Sequence, residues 1–423
     1  MQMKHRSFSP APVVHGGPAL WVSLHLPLEY VYDWSLSSQI SEWLARTGGH
    51  PLSLSILGSN NMEEWEEYNA EGVDAVLGVL VGCSDRWQTL DLTFNSYDGL
   101  QRLDVCAPAL RAIKTKCDPE ELIQMKLLTT PSLRAVAIGL WQNFDRYVPA
   151  LPLCWEHLTS LSFDCMGDHQ MQGLPLRVAL GILKRCPRLV HFETDINISF
   201  ELAAPSSYTH GPPVALPSLH RLIICRKNSS VSPKSLGYLL QQLLMPRLRC
   251  QQLPRTGLSQ FALSLPFLGN LAARSPHIED LSVDLAGLAL ESLLETLRGL
   301  PSLQKLVVIH SDGRQNMDAE HTAATAHQLF QSLAPPDPIP STVGVASLTS
   351  TTPLCPLLRE LQITECRALP SGEVLRAWQS TIRRSGCPSS RTSWRHSLRT
   401  RLGLGWILRP SLRRSGTWYS DFI

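Results

Sequence analysis

The sequence has few charged residues and almost no excess of either sign. Charged residues make up 17% of the 423 positions, and 38 basic against 36 acidic side chains leave a formal net charge of +2. A chain that binds a polyanion over its whole length carries a larger positive excess. We therefore do not expect nucleic acid as a partner, except weakly through one basic segment described below.

The 11 cysteines follow no spacing that binds metal or forms a disulfide framework. C-x-x-C occurs nowhere, and the pairs Cys106/Cys117 and Cys154/Cys165 are not at zinc spacing. An odd number of scattered cysteines is typical of buried free thiols in a reducing compartment. The first 12 residues are polar, unlike a signal peptide, and no apolar run approaches membrane-spanning length. We expect a cytoplasmic or nuclear protein with no membrane contact.

The common motifs of catalytic and cofactor sites are also missing. There is no G-x-x-x-x-G-K phosphate loop, no G-x-S-x-G nucleophile elbow and no H-E-x-x-H zinc motif. His321 and His327 are six residues apart, which does not place them on one side of a helix. Cys165 and His169 lie in a polar stretch, but no third residue is at hand to orient such a pair. We predict no catalytic residue, no cofactor and no metal.

What the sequence does contain is a repeated phrase, Pro-x-Leu-x-x-Leu-x-apolar. The clearest copies begin at Pro217 and Pro301, and a weak copy stands near Leu248. Most copies follow one another at steps of 20 to 31 residues. Other copies begin at Pro108, Pro131, Pro187, Pro276 and Pro356, and two without proline contain Leu90 and Leu158. This period is typical of a leucine-rich-repeat solenoid.

The chemistry of the phrase explains the prediction. Proline fixes φ and has no N–H, so it ends the preceding helix and turns the chain. The Leu-x-apolar alternation that follows has the period of a half-buried strand. Each repeat leaves an apolar face that only its neighbours can cover. We therefore expect an α/β solenoid with a curved parallel sheet, one short strand per repeat and helices on the convex side, and full burial of Leu222 and Leu306. The predicted helices are 120–128, 176–186, 235–244, 265–274 and 288–297.

Two phrases near the N-terminus resemble the F-box-like proteins of basidiomycete fungi. Residues 18–24 match the P-x-L-W-x-x-L phrase of that family, and residues 43–48 match its W-L-x-R-(S/T)-G phrase. Residues 51–56 then match P-L-x-L-x-(I/L), and helical spacing from Leu36 to Leu44 predicts a helix, turn and strand here. The resemblance implies a receptor whose F-box docks on the Skp1 adaptor of a cullin ubiquitin ligase. Only 17 residues precede Pro18, so we expect the F-box itself to be truncated or absent.

The predicted organisation has four parts. Residues 1–17 are expected to be disordered, and 18–58 to form the segment after the F-box and a capping unit. Residues 59–370 form the irregular leucine-rich-repeat solenoid, with loops near 201–216 and 311–353. Residues 371–423 form an Arg/Ser-rich tail, expected to be disordered, which is the one segment suited to nucleic acid or an acidic partner.

The sequence therefore predicts a protein–protein interaction module and not an enzyme. The resemblance implies the substrate-recognition part of an F-box-type ubiquitin ligase receptor, and the alternative is an orphan leucine-rich-repeat scaffold with no ubiquitin role. In either case the target protein would bind the concave face, through side chains that flank the strand leucines. The candidate contacts are Arg134, His191, His220, Arg221, Glu279, Asp280, Gln304, Lys305, Arg359 and Glu360.

Overall fold

The computed structural model describes twelve longer ranges of the chain, two pairs of residues and one single position. The described residues are 21–27, 35–58, 66–93, 103, 105–116, 119–140, 144–165, 173–197, 212–225, 233–252, 271–284, 290–309, 328–329, 332–333 and 354–364. The predicted disordered N-terminus and the Arg/Ser-rich tail lie outside these residues, as do His321, His327 and His169.

The described elements alternate between short strands and helices. The strands are β1 (Ser23–Pro27), β2 (Leu52–Leu57), β3 (Trp87–Thr93), β4 (Ala112–Lys116), β5 (Ala135–Leu140), β6 (Ser160–Cys165), β7 (Leu174–Pro175), β8 (His191–Asn197), β9 (Val214–Ala215), β10 (Arg221–Cys225), β11 (Leu243–Leu244), β12 (Cys250–Gln252), β13 (Asp280–Asp284), β14 (Lys305–Ile309) and β15 (Glu360–Thr364). The helices are α1 (Ser35–Arg46), α2 (Glu66–Val81), α3 (Pro119–Gln124), α4 (Phe144–Tyr147), α5 (Leu176–Arg185), α6 (Pro233–Gln241) and α7 (Leu290–Arg298). Single 3-10 turns lie at Ser84–Arg86, Lys126–Thr129, Val148–Ala150 and Trp155–His157.

The chain divides into two compact units. Unit 1 contains residues 1–140 and 150–157, and unit 2 contains residues 141–149 and 158–423. In unit 1, strands β1 to β5 pair in chain order, and every pair is parallel. In unit 2, β6, β8, β10, β12, β13, β14 and β15 pair in the same parallel manner. Each unit is therefore a leucine-rich-repeat array with one sheet strand per repeat, as the phrase predicts.

The proline of the phrase occupies the second position of a β-turn. In Thr130-Pro131-Ser132-Leu133, the Leu133 amide donates to the Thr130 carbonyl at 3.1 Å. Proline suits this position because its fixed φ matches the turn. The same bond closes the turns that end at Leu110, Leu189, Leu219, Leu248, Leu303 and Leu358. The leucine that ends the turn is followed by one residue and then by the first strand residue. A local signal in the sequence therefore sets the strand position.

Adjacent repeats are joined by a shared backbone carbonyl just before each strand. The carbonyl of Glu279 accepts hydrogen bonds from the amides of Gln304 and Lys305, both at 2.8 Å. These paired bonds measure 2.7 to 3.0 Å throughout. The other acceptors of this kind are the carbonyls of Arg111, Thr159, Val190, His220, Arg249 and Gln304. Because the bonds use only main-chain atoms, they satisfy the pre-strand backbone without restricting its side chains.

The core of each array is a pair of apolar rows under the sheet. In unit 2 the first row contains Leu222 and Leu306, both with no exposed surface, which confirms the burial predicted for them. One member breaks the pattern, because β12 contributes Gln251 to this row between Leu222 and Leu281. Gln251 is fully buried, and neither amide atom has a hydrogen-bond partner in the described part of the chain. An unsatisfied buried amide of this kind costs about 1–3 kcal/mol.

The helices predicted over 176–186 and 288–297 are confirmed by α5 and α7, and two other predicted helices end earlier than expected. Of the helix predicted over 265–274, residues 271–274 are helical and 265–270 lie outside the described residues. The helix expected over 120–128 is α3 followed by a 3-10 turn, because the chain at Met125 has extended backbone angles. The helix expected over 235–244 ends at Gln241, and Leu243–Leu244 instead form β11, which pairs with β9. Strand β9 in turn lies inside the loop expected near 201–216. The two-residue strands β9 and β11 depend on each other across neighbouring repeats, and no local sequence pattern reveals that pairing.

Candidate functional site

The outer face of unit 2 presents a row of charged side chains. We name it the charged row: it consists of the first residue of each of the sheet strands β8, β10, β12, β13, β14 and β15, which are His191, Arg221, Cys250, Asp280, Lys305 and Glu360. Cα pairing places these residues side by side across the sheet. Strand alternation turns them away from the apolar rows beneath. Five of the ten sequence-predicted contact residues therefore lie in one line.

A second line runs beside the charged row at the residues that precede each strand. We name it the pre-strand row, and its members are His220, Arg249, Glu279, Gln304 and Arg359. Four of them are sequence-predicted contacts, and their carbonyls or amides take part in the shared backbone bonds described above. Arg249 is mostly exposed and Glu279 is half-buried, and Arg249 Nη1 lies 3.9 Å from Glu279 Oε1. The two rows together form a polar strip across unit 2.

Charges along the charged row alternate in sign. Lys305 Nζ lies 3.5 Å from Glu360 Oε1, with about a third of each side chain exposed. Burial raises the pKa of Asp280, while the positive charges of Lys305 and Arg221 on its two sides act to lower it. The order from β10 to β15 is thus positive, neutral, negative, positive and negative. An alternating row has little net field, so it favours neither polyanions nor polycations.

The neutral member of the row is Cys250. Burial raises the pKa of its thiol to about 11, and the negative charge of Asp280 acts in the same direction. The thiolate is the reactive form of cysteine, and at neutral pH this thiol is protonated. Cys186 and Cys355 are likewise raised, each to about 12, by burial. Cys186 is buried, as expected of a free thiol in the core, and Cys250 and Cys355 are partly buried. Cys106 is exposed, so the expectation of buried thiols is wrong at that position.

Several polar atoms in the two rows are buried without a hydrogen bond. They are His191 Nε2, His220 Nδ1 and Asp280 Oδ1, which find no hydrogen-bond partner in the described ranges. His191 Nε2 approaches Glu193 Oε2 only to 3.6 Å. Buried polar groups in folded proteins are normally satisfied by protein, water or a bound molecule. Three predicted contact residues therefore have hydrogen-bonding capacity that the described chain does not use.

The outer face of unit 1 has a different composition. Its first outer row runs through the first, second or third residue of each strand and contains Ser23, Ser53, Thr89, Ala112 and Ala135. All five side chains are small. In the next row, Lys114 Nζ lies 3.0 Å from Asp91 Oδ2, and His25 Nδ1 lies 2.9 Å from Ser55 Oγ. The sequence-predicted contact Arg134 belongs to this unit. Its guanidinium donates at 2.8 Å to the carbonyls of Pro131 and Leu133, so it supports its own turn.

The phrases that carry the family resemblance lie together at the start of unit 1. The Arg46 guanidinium lies over the Trp21 ring, 5.4 Å from its centroid, which is a cation–π distance. Gly48 has φ 57° after α1, as a glycine that ends a helix does. Arg86, from the next repeat, donates to the His50 carbonyl at 2.9 Å and to the Thr47 hydroxyl. Helix α1, its turn and β2 thus form the unit that the sequence predicts for 36–56.

Sequence reasoning missed two members of the strip, Arg249 and Cys250. Their repeat has the proline turn at Pro246 and a buried Leu248, but Gln251 stands where the phrase requires leucine. The Pro-x-Leu triplet was the one part of the phrase that could have identified this repeat from the sequence. Within the described ranges, no three side chains of His, Cys, Asp or Glu are grouped as metal ligands would be. None of the helices described combines the length and apolarity that crossing a bilayer requires.

Stacked repeats of this kind present extended surfaces for binding, so the architecture is that of an interaction scaffold. No protein-family model matches the chain, and no curated protein matches it either. Among solved structures, the leucine-rich-repeat protein LegL7 from Legionella pneumophila is similar at 15% identity and TM-score 0.36, over 85% of this chain and 90% of that one. The Rad7 and Elc1 complex from yeast is similar at 11% identity and TM-score 0.39, over 80% and 84%. The TLR13–ssRNA13 complex gives 15% identity and TM-score 0.27, over 62% and 39%. With all three TM-scores below 0.5, the fold assignment rests on the strand register.

Proposed function

We propose that the strip on unit 2 is the binding site for a protein partner. The observation that carries the proposal is the alignment of nine sequence-predicted contacts in the charged and pre-strand rows. On a surface that contacts only water, polar side-chain atoms are normally hydrated. Three of these residues instead have buried polar atoms without a hydrogen bond in the described chain. A partner surface with complementary groups would satisfy those atoms and pair with the alternating charges.

We further propose that the chain acts as the substrate-recognition part of an F-box-type ubiquitin ligase receptor. The support is the resemblance over residues 18–56, whose separate phrases meet in the contact between Trp21 and Arg46. In this assignment the strip holds the target, and Skp1 and cullin act through an F-box joined ahead of Pro18.

Binding at the strip is tested by a charge swap that keeps the internal ion pair. The double variant Lys305→Glu/Glu360→Lys preserves net charge and a salt bridge but reverses the polarity that a partner meets. The matched control is Asp91→Lys/Lys114→Asp, which reverses the corresponding pair on unit 1. The full chain and both variants are used to capture proteins from fungal lysate, with quantitative mass spectrometry. We expect the swap on unit 2 to remove partners that the wild type and the control retain, while thermal unfolding shows both variants folded.

The ubiquitin role is tested separately by supplying the docking module. An F-box is fused ahead of the full chain, and ubiquitylation and abundance are measured for the proteins that the unfused chain captures. We expect ubiquitylation of those proteins to rise, and the fusion that carries the unit 2 swap to have no effect. Retained capture without any change in ubiquitylation would support the orphan-scaffold alternative. Capture that is identical for all variants would contradict binding at the strip.

A further inference from the structure

The spacing and sign of the charged row define the shape of its partner. Neighbouring strands in a sheet are about 4.7–4.9 Å apart. The charged row from Arg221 to Glu360 crosses four such steps, through Cys250, Asp280 and Lys305. Its charges therefore recur at a spacing of about 5 Å over a length of about 19 Å.

An α-helix laid across the strands matches this spacing. One helical turn rises about 5.4 Å, so the helix gains only about 0.6 Å per strand and about 2.4 Å over the row. Long Lys, Arg and Glu side chains absorb an offset of that size. An extended peptide presents side chains on one face only every 6.6–6.8 Å or so, and it would lose register by roughly 8 Å over the same length.

We propose that the charged row docks an amphipathic partner helix with alternating charges, a proposal that rests on the strip being a protein-binding site. The partner carries an acidic residue at i facing Arg221 and a basic residue at i+7 facing Asp280. An acidic residue at i+11 faces Lys305, and a basic residue at i+14 faces Glu360. The helical position that faces Cys250, near i+3 or i+4, is uncharged. All four charged positions lie on one side of a helix, and the same pattern read from the opposite end fits a helix of reversed direction.

The ion pairs already present make this recognition selective. Lys305 and Glu360 face each other at 3.5 Å, and Asp280 lies between two positive charges. A partner in register adds an opposite charge to each of the four charged residues from Arg221 to Glu360, whereas a shift by one strand sets like charges against each other. Like-charge contacts at an interface are strongly unfavourable, so register is enforced as well as affinity.

The test is a selection from a displayed helix library on the full-length chain. Each helix has about five turns, and Glu, Lys or Gln is allowed at i, i+3, i+7, i+11 and i+14, with apolar residues varied beside them. A second library presents the same residues in extended, proline-containing peptides. We expect helices with the proposed charge order to be enriched, and their affinity to fall about tenfold or more on the Lys305→Glu/Glu360→Lys chain. On that variant, selection should invert the preference at i+11 and i+14 only.

Three outcomes of the selection on the wild-type chain overturn the inference. They are enrichment of extended peptides, enrichment of helices without a charge order, and no enrichment of helices on the wild-type chain. Each is distinguishable from failure of the proposed function, which is measured independently by protein capture with the two charge-swapped variants. Loss of enrichment on both the unit 2 swap and the unit 1 swap would also contradict it, because only the former changes the row.

Discussion

Units 1 and 2 are built from the same repeat but present different outer faces. In both, a proline turn or its equivalent leads into a strand whose inward residues are mostly leucine, isoleucine, valine or phenylalanine. The first outer row of unit 1 consists of serine, threonine and alanine, whereas the charged row of unit 2 contains Arg, Asp, Lys and Glu. The core differs in the opposite sense. Unit 2 has a polar residue, Gln251, in its first core row, whereas the paired residues of that row in unit 1 are all apolar. The residues of the outer surface and those of the core can therefore vary independently on the same repeat backbone.

The largest effect is expected from truncating the core row of unit 2. Leu306→Ala removes a fully buried side chain between Leu281 and Leu361, and it should cost about 2–5 kcal/mol. Because each repeat contacts only its neighbours, loss of amide protection should be confined to nearby strands. Denaturant unfolding measures the loss of stability, and hydrogen exchange measures where amide protection is lost. Leu90→Ala is the matched change in unit 1, and an unmoved unfolding curve for either would show that the repeat is wrongly assigned there.

Gln251→Leu should make the two core rows alike. The substitution restores leucine to the row and removes an amide that has no hydrogen bond in the described chain, so stability should rise by about 1–3 kcal/mol. Gln252→Leu, on the outer face of the same strand, is the control and should give no such gain. Chemical denaturation compares them. A destabilised Gln251→Leu protein would mean that the amide is satisfied in solution.

Glycine offers an opposite pair of substitutions in the two units. A Cβ on Gly299 would lie 2.7 Å from the Cβ of Ala272 in the preceding repeat, so Gly299→Ala should cost about 1–3 kcal/mol. Gly78 in helix α2 of unit 1 has open space, and Gly78→Ala should stabilise by about 0.5–1 kcal/mol. Thermal unfolding of the two variants should shift in opposite directions. Equal shifts would contradict the close approach at Gly299.

The smallest expected effect is a pH dependence from Asp280. Burial raises the pKa of this carboxyl in the folded state, so the folded protein holds the proton more tightly than the unfolded chain. Stability therefore falls as pH rises from the ordinary Asp value of 3.8 through the raised pKa. Asp280→Asn should remove this decline, and the difference between variant and wild type should grow with pH in that window. The negative charge of Glu360 also raises the pKa of Asp280, so the comparison is repeated with Glu360→Gln. Parallel stability curves would contradict the pKa shift.

The sequence predicts those parts of the fold that depend on local chemistry. Each strand after a proline turn is predictable because proline, leucine and the period of two act within eight residues. Strands β9 and β11 were not predictable, because two residues carry no period and each strand needs a partner from the neighbouring repeat. The division into two units also has no local signal.

The candidate site was predictable in position more than in composition. The x residues of the phrase lead directly to Asp280, Lys305 and Glu360, because alternation places them outward. Arg249 and Cys250 were missed because Gln251 stands where the phrase has leucine, so their repeat does not match the phrase. Arg134 fits the phrase as well as the others do, and only the bonds of its guanidinium show that it holds its own turn. Which side chains a partner contacts stays a prediction.

The shared backbone carbonyl has a consequence for how such a protein changes over generations. The bond between repeats depends on main-chain atoms alone, so any residue with an amide can occupy the pre-strand row and the first strand position. Substitutions in those positions alter the outer surface without disturbing the joint between repeats. Duplication or loss of a whole repeat leaves an identical joint behind. A lineage can therefore acquire new targets by point mutation and unequal recombination while the scaffold stays the same.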